Sequence, residues 1–166
     1  MEILKIIKDK YPEYDSRYED IISRFTLTQG GRAGTASESD LIDQGKYFLT
    51  KYEIFMYAFF LGLRNNNRVP FPENAKKNKF IEIKYWQPED IRNYIIMASF
   101  AKSEIDLIEL EEANEEKINN EIGKLKSIIE EYANGGFEII MNKFNNEPEF
   151  FGNNNNCFIL MLNKSV

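Results

Sequence analysis

One stretch decides most of what this chain can fold into. Thr50-Lys51-Tyr52-Glu53 has the spacing of a capping box, in which the Thr hydroxyl and the Glu carboxylate each accept from the other residue's backbone N–H at a helix start. It opens onto Ile54-Phe55-Met56-Tyr57-Ala58-Phe59-Phe60-Leu61-Gly62-Leu63, a run without a single charge. A helix that is apolar on nearly every side must be enclosed, and the expected enclosure is the chain's own fold, with a subunit interface as the alternative. The run is far shorter than the roughly 20 residues a membrane span requires. Of the 166 residues 43% are hydrophobic and 14% aromatic, enough to build that enclosure and too many for a disordered, collagen-like or disulfide-scaffold chain.

The rest of the chain reads mostly as helix. Ile3, Leu4, Ile6 and Ile7 sit between charges over residues 2 to 9, and Tyr18, Ile21, Ile22 and Phe25 recur at helical spacing after Ser16, an N-cap candidate. Pro88, with Glu89 and Asp90 at the positive end of the dipole, starts a helix expected to run to about Lys102, with Ile91, Tyr94, Ile95, Ala98 and Ala101 as its apolar face. Ser103 is expected to cap a short turn through Leu110. From Asn114, Ile118, Ile122, Leu125, Ile129 and Tyr132 recur at three and four residues, and Asn134-Gly135-Gly136 reads as a left-handed stop. Phe137, Ile140, Met141 and Phe144 then suggest a further helix to about Asn145, and Asn153 to Asn156 a turn. Two segments carry the β signal: Phe80 to Trp86 alternates as a short strand or extended arm, after Val69-Pro70-Phe71-Pro72 has turned the chain outward, and Cys157 to Leu162 is either a last helix turn or a strand paired with residues 80 to 85.

Residues 26–44 are polar and read as a long flexible loop. Loops of that length are uncommon unless functional or disordered. Gly30, Gly31 and Gly34 would let the backbone approach a phosphate or a partner, with Arg32 supplying charge, but the spacing fits neither G-x-x-x-x-G-K-[ST] nor G-x-G-x-x-G. A plain connection is the expected reading.

The sequence contains no histidine, so Ser-His-Asp and Cys-His machinery have no base within this chain. The single cysteine, Cys157, lies in an apolar run and reads as a small buried hydrophobe. With one cysteine there is neither an internal disulfide nor a Cys-based zinc site. Carboxylates at helical spacing, Glu89 with Asp90 and Glu111, Glu112, Glu115 and Glu116, read as solvated helix faces, since no flanking pattern supports acid–base pairs or Mg²⁺ ligands. No metal, no cofactor and no enzymatic activity are expected. The Met1 to Lys8 segment alternates charged with apolar residues and lacks the continuous apolar stretch of a signal peptide, so a cytoplasmic protein is expected.

Charge is unevenly spread. From Arg64 to Lys84 six basic residues (Arg64, Arg68, Lys76, Lys77, Lys79 and Lys84) face two acidic ones, a net +4, with Phe71, Tyr85 and Trp86 supplying rings for stacking. From Glu104 to Glu131 ten acidic residues face three lysines, a net −7. The chain as a whole carries −6, which opposes approach to nucleic acid at long range. The basic residues with Trp86 are therefore candidates for contact with an acidic partner or with nucleic acid, and the acidic segment for contact with a basic partner or for imitation of nucleic acid.

Gly45-Lys46-Tyr47-Phe48, the run Tyr52 to Leu63 and Asn67-Arg68-Val69-Pro70 together resemble small proteins associated with DNA phosphorothioation (Dnd-type) and related anti-phage defence operons, in which an F-x-x-A-x-x-x-G helix precedes a basic R-x-P turn. The likeness covers roughly residues 45 to 72. Residues 100–106 and 131–136 look like further blocks of the same kind. The resemblance implies an accessory subunit beside a nuclease, ATPase or DNA-modifying partner, and carries no catalytic residue with it.

The expectation is thus a single domain over residues 1–166, mainly α, a compact multi-helix domain with a central apolar helix and at most a small β element. Its expected role is a non-enzymatic accessory or scaffold subunit of a bacterial anti-phage defence or DNA-modification-linked complex, reaching nucleic acid through a protein partner. Two alternatives stand beside it: a phage-encoded acidic inhibitor that mimics nucleic acid, and a nucleic-acid-binding module using residues 64–84.

Overall fold

The apolar run is a helix, and the longest helix of the protein crosses it glycine against glycine. The structure, a computed structural model, describes residues 2–27, 45–153 and 155–163. In chain order the described α-helices are α1 (Glu2–Lys8), α2 (Glu19–Phe25), α3 (Lys51–Arg64), α4 (Glu89–Ala101), α5 (Leu107–Glu111), α6 (Glu115–Asn146), α7 (Pro148–Asn153) and α8 (Cys157–Asn163). Two three-residue strands, β1 (Glu13–Asp15) and β2 (Lys77–Lys79), pair antiparallel with Tyr14 opposite Asn78. The fold is the compact multi-helix domain with a small β element that the sequence predicts.

Thr50 caps α3 as its spacing predicts. Its hydroxyl accepts from the Glu53 N–H at 3.3 Å, and the Glu53 carboxylate accepts from the N–H groups of Thr50 at 3.1 Å and Leu49 at 2.6 Å. Along α3, Ile54, Phe55, Met56, Ala58, Phe59, Leu61 and Gly62 are all buried. The enclosure comes chiefly from α6. A Cβ on Gly62 would lie 2.0 Å from the Tyr132 carbonyl oxygen, and one on Gly136 only 1.8 Å from that of Ala58, so the two backbones touch where side chains would normally separate them.

That crossing overturns one sequence expectation. Asn134-Gly135-Gly136 does not stop a helix; α6 runs unbroken for 32 residues. Asn134 is wholly buried and its side-chain oxygen accepts from the Asp15 N–H at 3.2 Å, while Gly135 packs against the Asn67 backbone, whose side-chain amide donates to the Gly135 carbonyl at 3.0 Å. Packing on both sides holds the glycines helical, against their preference for a left-handed cap.

The β signal is also relocated. The strand is Lys77–Lys79 rather than Phe80 to Trp86; residues 83–85 form a 3-10 turn, and residues 157–163 form the helix α8. The β pair is braced from behind by α6: Glu130 accepts from the Glu13 N–H at 2.7 Å, one turn before Asn134 does the same for Asp15. A polar ridge on α6 thus satisfies the strand edge that β2 leaves open. Lys126, a further turn back, bonds Glu130 at 3.0 Å and Glu13 at 3.2 Å. Burial pushes the Glu130 carboxyl up despite Lys126 beside it, whereas at Lys126 the two carboxylates outweigh burial and raise the ammonium.

Two aromatic clusters fill the remaining core. Tyr14, Phe55, Phe80, Trp86 and Phe137 meet beneath the strands, with Phe80 and Trp86 stacked at 5.7 Å. Phe25, Tyr47, Phe48, Phe151 and Phe158 fasten the C-terminal helices, helped by the Tyr57 hydroxyl, which donates to the Phe158 carbonyl at 2.6 Å. Cys157 is buried among them, as its apolar context predicts, and burial raises its thiol. Thr26, at the start of the predicted loop, is buried and bridges to Phe48. Gly30, Gly31, Arg32 and Gly34 lie outside the described residues.

Candidate functional site

The structure divides the basic segment that the sequence presents as one. Arg64 and Lys51 stand at opposite ends of α3, a 14-residue helix and so about 20 Å apart along its axis. Lys77 and Lys79 gather at the Lys51 end, where the three lysines share a hollow of about 470 Å³ with Tyr14, Glu19 and Asn78. Lys51 has no place in the sequence-derived set, because nothing in its local pattern shows that β2 will fold back onto the start of α3.

Several of the expected cations are already committed. Arg68 pairs with Glu131 and lies 5.9 Å from the Tyr132 ring centre. Lys84 pairs with Asp9 at 3.0 Å and Glu82 at 3.4 Å. Lys51 bonds Glu19 at 2.5 Å; Glu19 also accepts from the Tyr14 hydroxyl, from Asn78 at 2.9 Å and from Ser23 at 3.0 Å. Burial tends to raise the Glu19 carboxyl, but these donors outweigh it and hold the group below the usual range. Lys77 rests over the Phe71 ring at 4.3 Å, and Lys76, Lys77 and Lys79 are exposed with no carboxylate partner among the described residues. Trp86 corrects a sequence expectation: it is fully buried between Phe55 and Phe80, its Nε1 donating to the Ile81 carbonyl at 3.3 Å, so neither ring face is open to a base or a partner.

A larger hollow, about 890 Å³, lies between residues 102–110 and the first turns of α6. Its cations are mostly neutralised in place: Arg68 by Glu131, Lys117 by Glu109, and Lys124 by Glu121 at 2.6 Å. Among the described residues no group of three or more acidic, Cys or His side chains is arranged to hold a metal ion.

The surface of α4 departs most from the sequence reading. The periodicity of Ile91, Tyr94, Ile95, Ala98 and Ala101 predicts that Tyr94 and Ala101 face the core. Instead the buried side is Arg92, Ile95, Ile96 and Ser99. Arg92 is drawn inward because its guanidinium donates to the Lys84 carbonyl at 2.6 Å and the Trp86 carbonyl at 3.4 Å, and meets Glu89 at 2.5 Å. The helix is rotated to satisfy those carbonyls. Tyr94 and Met97, three residues apart and so on one face, are left 64% and 61% exposed. On α5, capped by Asp106 rather than Ser103, Leu107 and Ile108 are also exposed.

These features define a helical protein whose surface offers charged and apolar contact groups around a tightly braced core. A family model describes the same chain: it matches residues 38–165, and the chain belongs to the family of DNA sulphur modification system-associated protein 4. The resemblance seen at residues 45 to 72 is therefore real and extends over most of the chain. No curated protein and no solved structure matches it. No described helix is long and apolar enough to cross a membrane.

Proposed function

We propose that this chain is a non-enzymatic accessory subunit that works through protein–protein contacts beside a nuclease, ATPase or DNA-modifying enzyme of a bacterial DNA sulphur modification system, in the cytoplasm and in the service of anti-phage defence. The supporting observation is the inverted face of α4, which buries Arg92 and Ser99 and exposes Tyr94 and Met97. Large apolar and aromatic side chains presented together on a rigid helix are the usual anchors of a protein interface. Family membership supplies the context, and the lack of histidine anywhere in the sequence favours contact over catalysis.

The test is an affinity pull-down from the native host, with and without nuclease, using the wild-type chain and a Tyr94→Ser/Met97→Ser variant. The expected result is one stoichiometric protein of the modification system, recovered regardless of nuclease and lost with the variant. Recovery that vanishes on nuclease treatment would overturn the reading. A second reading, direct contact with nucleic acid, is favoured by the unpaired, exposed Lys76, Lys77 and Lys79 around β2. Lysines on an edge strand also discourage strand-to-strand aggregation, which explains them without a ligand. Binding to duplex DNA that falls steeply with salt and is lost in Lys77→Glu/Lys79→Glu would establish it.

A further inference from the structure

Helix α5 is a poor helix for the protein that contains it. Of its five residues only Leu110 is buried; Ile108 is 80% exposed and Leu107 is 42% exposed. On so short a helix residues 107, 108, 111 and 112 share the outward side, so the two apolar side chains stand beside Glu111 and Glu112. Between Glu104 and Glu116 there are seven carboxylates and no cation, and all seven are exposed. The fold accounts for four of them: Asp106 caps α5 through the N–H groups of Ile108 and Glu109, Glu115 and Glu116 sit at the positive end of α6, and Glu109 pairs with Lys117. Glu104 turns to the neighbouring hollow with Lys102 and Lys117, whereas Glu111 and Glu112 stand beside two unsheltered aliphatic side chains and form no ion pair with a cation among the described residues.

We infer that the outward side of α5 is a docking site for a cationic amphipathic segment of a partner protein, whose apolar residues seat on Leu107 and Ile108 and whose Lys or Arg residues meet Glu111 and Glu112. Charge selects this occupant. Nucleic acid and acidic peptides are repelled, and a second copy of the same acidic face is repelled equally. A purely apolar segment would leave the carboxylates desolvated without partners. The inference rests on reading the chain as a contact subunit, and it names the partner chemistry for residues of α5 rather than for Tyr94 and Met97 of α4.

The test uses the full chain and a labelled synthetic helical peptide of leucine and lysine at amphipathic spacing, with its leucine and glutamate counterpart as control, in fluorescence anisotropy at low and moderate salt. The lysine peptide binds the wild type and the glutamate peptide does not. Ile108→Ser, which changes no charge, weakens binding by about tenfold or more. Ile108→Leu restores it, and Glu111→Gln/Glu112→Gln weakens it and flattens its salt dependence. Circular dichroism confirms that each variant is folded. Failure of the lysine peptide to bind the wild type, or equal binding by Ile108→Ser, overturns the proposal, the latter because attraction would then be charge alone. The Tyr94→Ser/Met97→Ser variant binds the peptide normally, so failure of the pull-down and failure of this inference are read separately.

Discussion

Gly136→Ala and Gly123→Ala make the same chemical change in the same helix, and the structure assigns them opposite signs. At Gly136 the added methyl would stand 1.8 Å from the Ala58 carbonyl oxygen and 2.5 Å from its carbon. Ordinary contact begins at 3.4 Å, so α3 and α6 must separate by as much as 1.6 Å, the difference between the two distances, along the line of clash. The obstacle is backbone inside a helix, which cannot swing aside as a flexible side chain would. A gap of 0.5–1 Å already forfeits about a quarter to a half of each dispersion contact, and the residues flanking the crossing, Ala58, Phe59 and Ala133, are wholly buried. Overpacking of this kind costs about 1–3 kcal/mol or more, against which the better helix propensity of alanine returns about 1 kcal/mol. A clash with rigid helix backbone calls for the upper end of that range, so the expected result is a net destabilisation of about 2 kcal/mol. At Gly123 a methyl meets nothing within 4 Å, so only the propensity remains, and stability rises by about 0.5–1 kcal/mol. Urea unfolding followed by circular dichroism and by the emission of Trp86, the single and fully buried tryptophan, measures both. With a slope of about 1–3 kcal/mol per molar for a chain of this size, the Gly136→Ala midpoint falls by roughly 1 M at unchanged slope. If Gly136→Ala matched Gly123→Ala in midpoint, the close crossing of α3 and α6 would be wrong.

Three further outcomes follow from local geometry. Arg92→Ala leaves the buried carbonyl of Trp86 and the part-buried carbonyl of Lys84 without this donor and is expected to cost about 1–3 kcal/mol in thermal unfolding; a wild-type melting temperature would mean that other donors reach them. Thr50→Ala removes the cap of α3 and is expected to lower stability by about 1 kcal/mol in the same urea assay, a null result arguing against the capping box. Glu19 has a folded-state pKa below its ordinary value, so its stabilisation is present above the usual carboxylate range of about 4.3 and is lost as pH falls through the folded value. Glu19→Gln should therefore flatten the acid side of the stability–pH curve, measured as urea midpoints between neutral and acid pH, and leave the slope above it unchanged.

What could be read from the residues alone follows from interactions between near neighbours. The capping box at Thr50, the helix that begins after Asn114 and the mainly α fold all rest on spacings of three and four residues, which fix local geometry wherever the helix lies. The family likeness was legible for the same reason, being a contiguous block. Burial of Cys157 was also readable, because an apolar run has few other places to go. Tertiary structure decided everything that depends on what a side chain meets from afar. Asn134-Gly135-Gly136 has the local signature of a helix end, yet the backbone of α3 pressing on Gly136 and the Asp15 N–H reaching Asn134 make it the middle of one. Arg92 turned inward for carbonyls six and eight residues back, and that rotation put Tyr94 at the surface. Lys51 joined Lys77 and Lys79, while Arg68, Lys84 and Trp86 were absorbed by partners 63 residues, 75 residues and an aromatic cluster away. Periodicity specifies which elements form, but it is blind to which unsatisfied carbonyl or close-approaching backbone waits across the fold, and in this protein those long-range demands chose which side chains remain free for a partner.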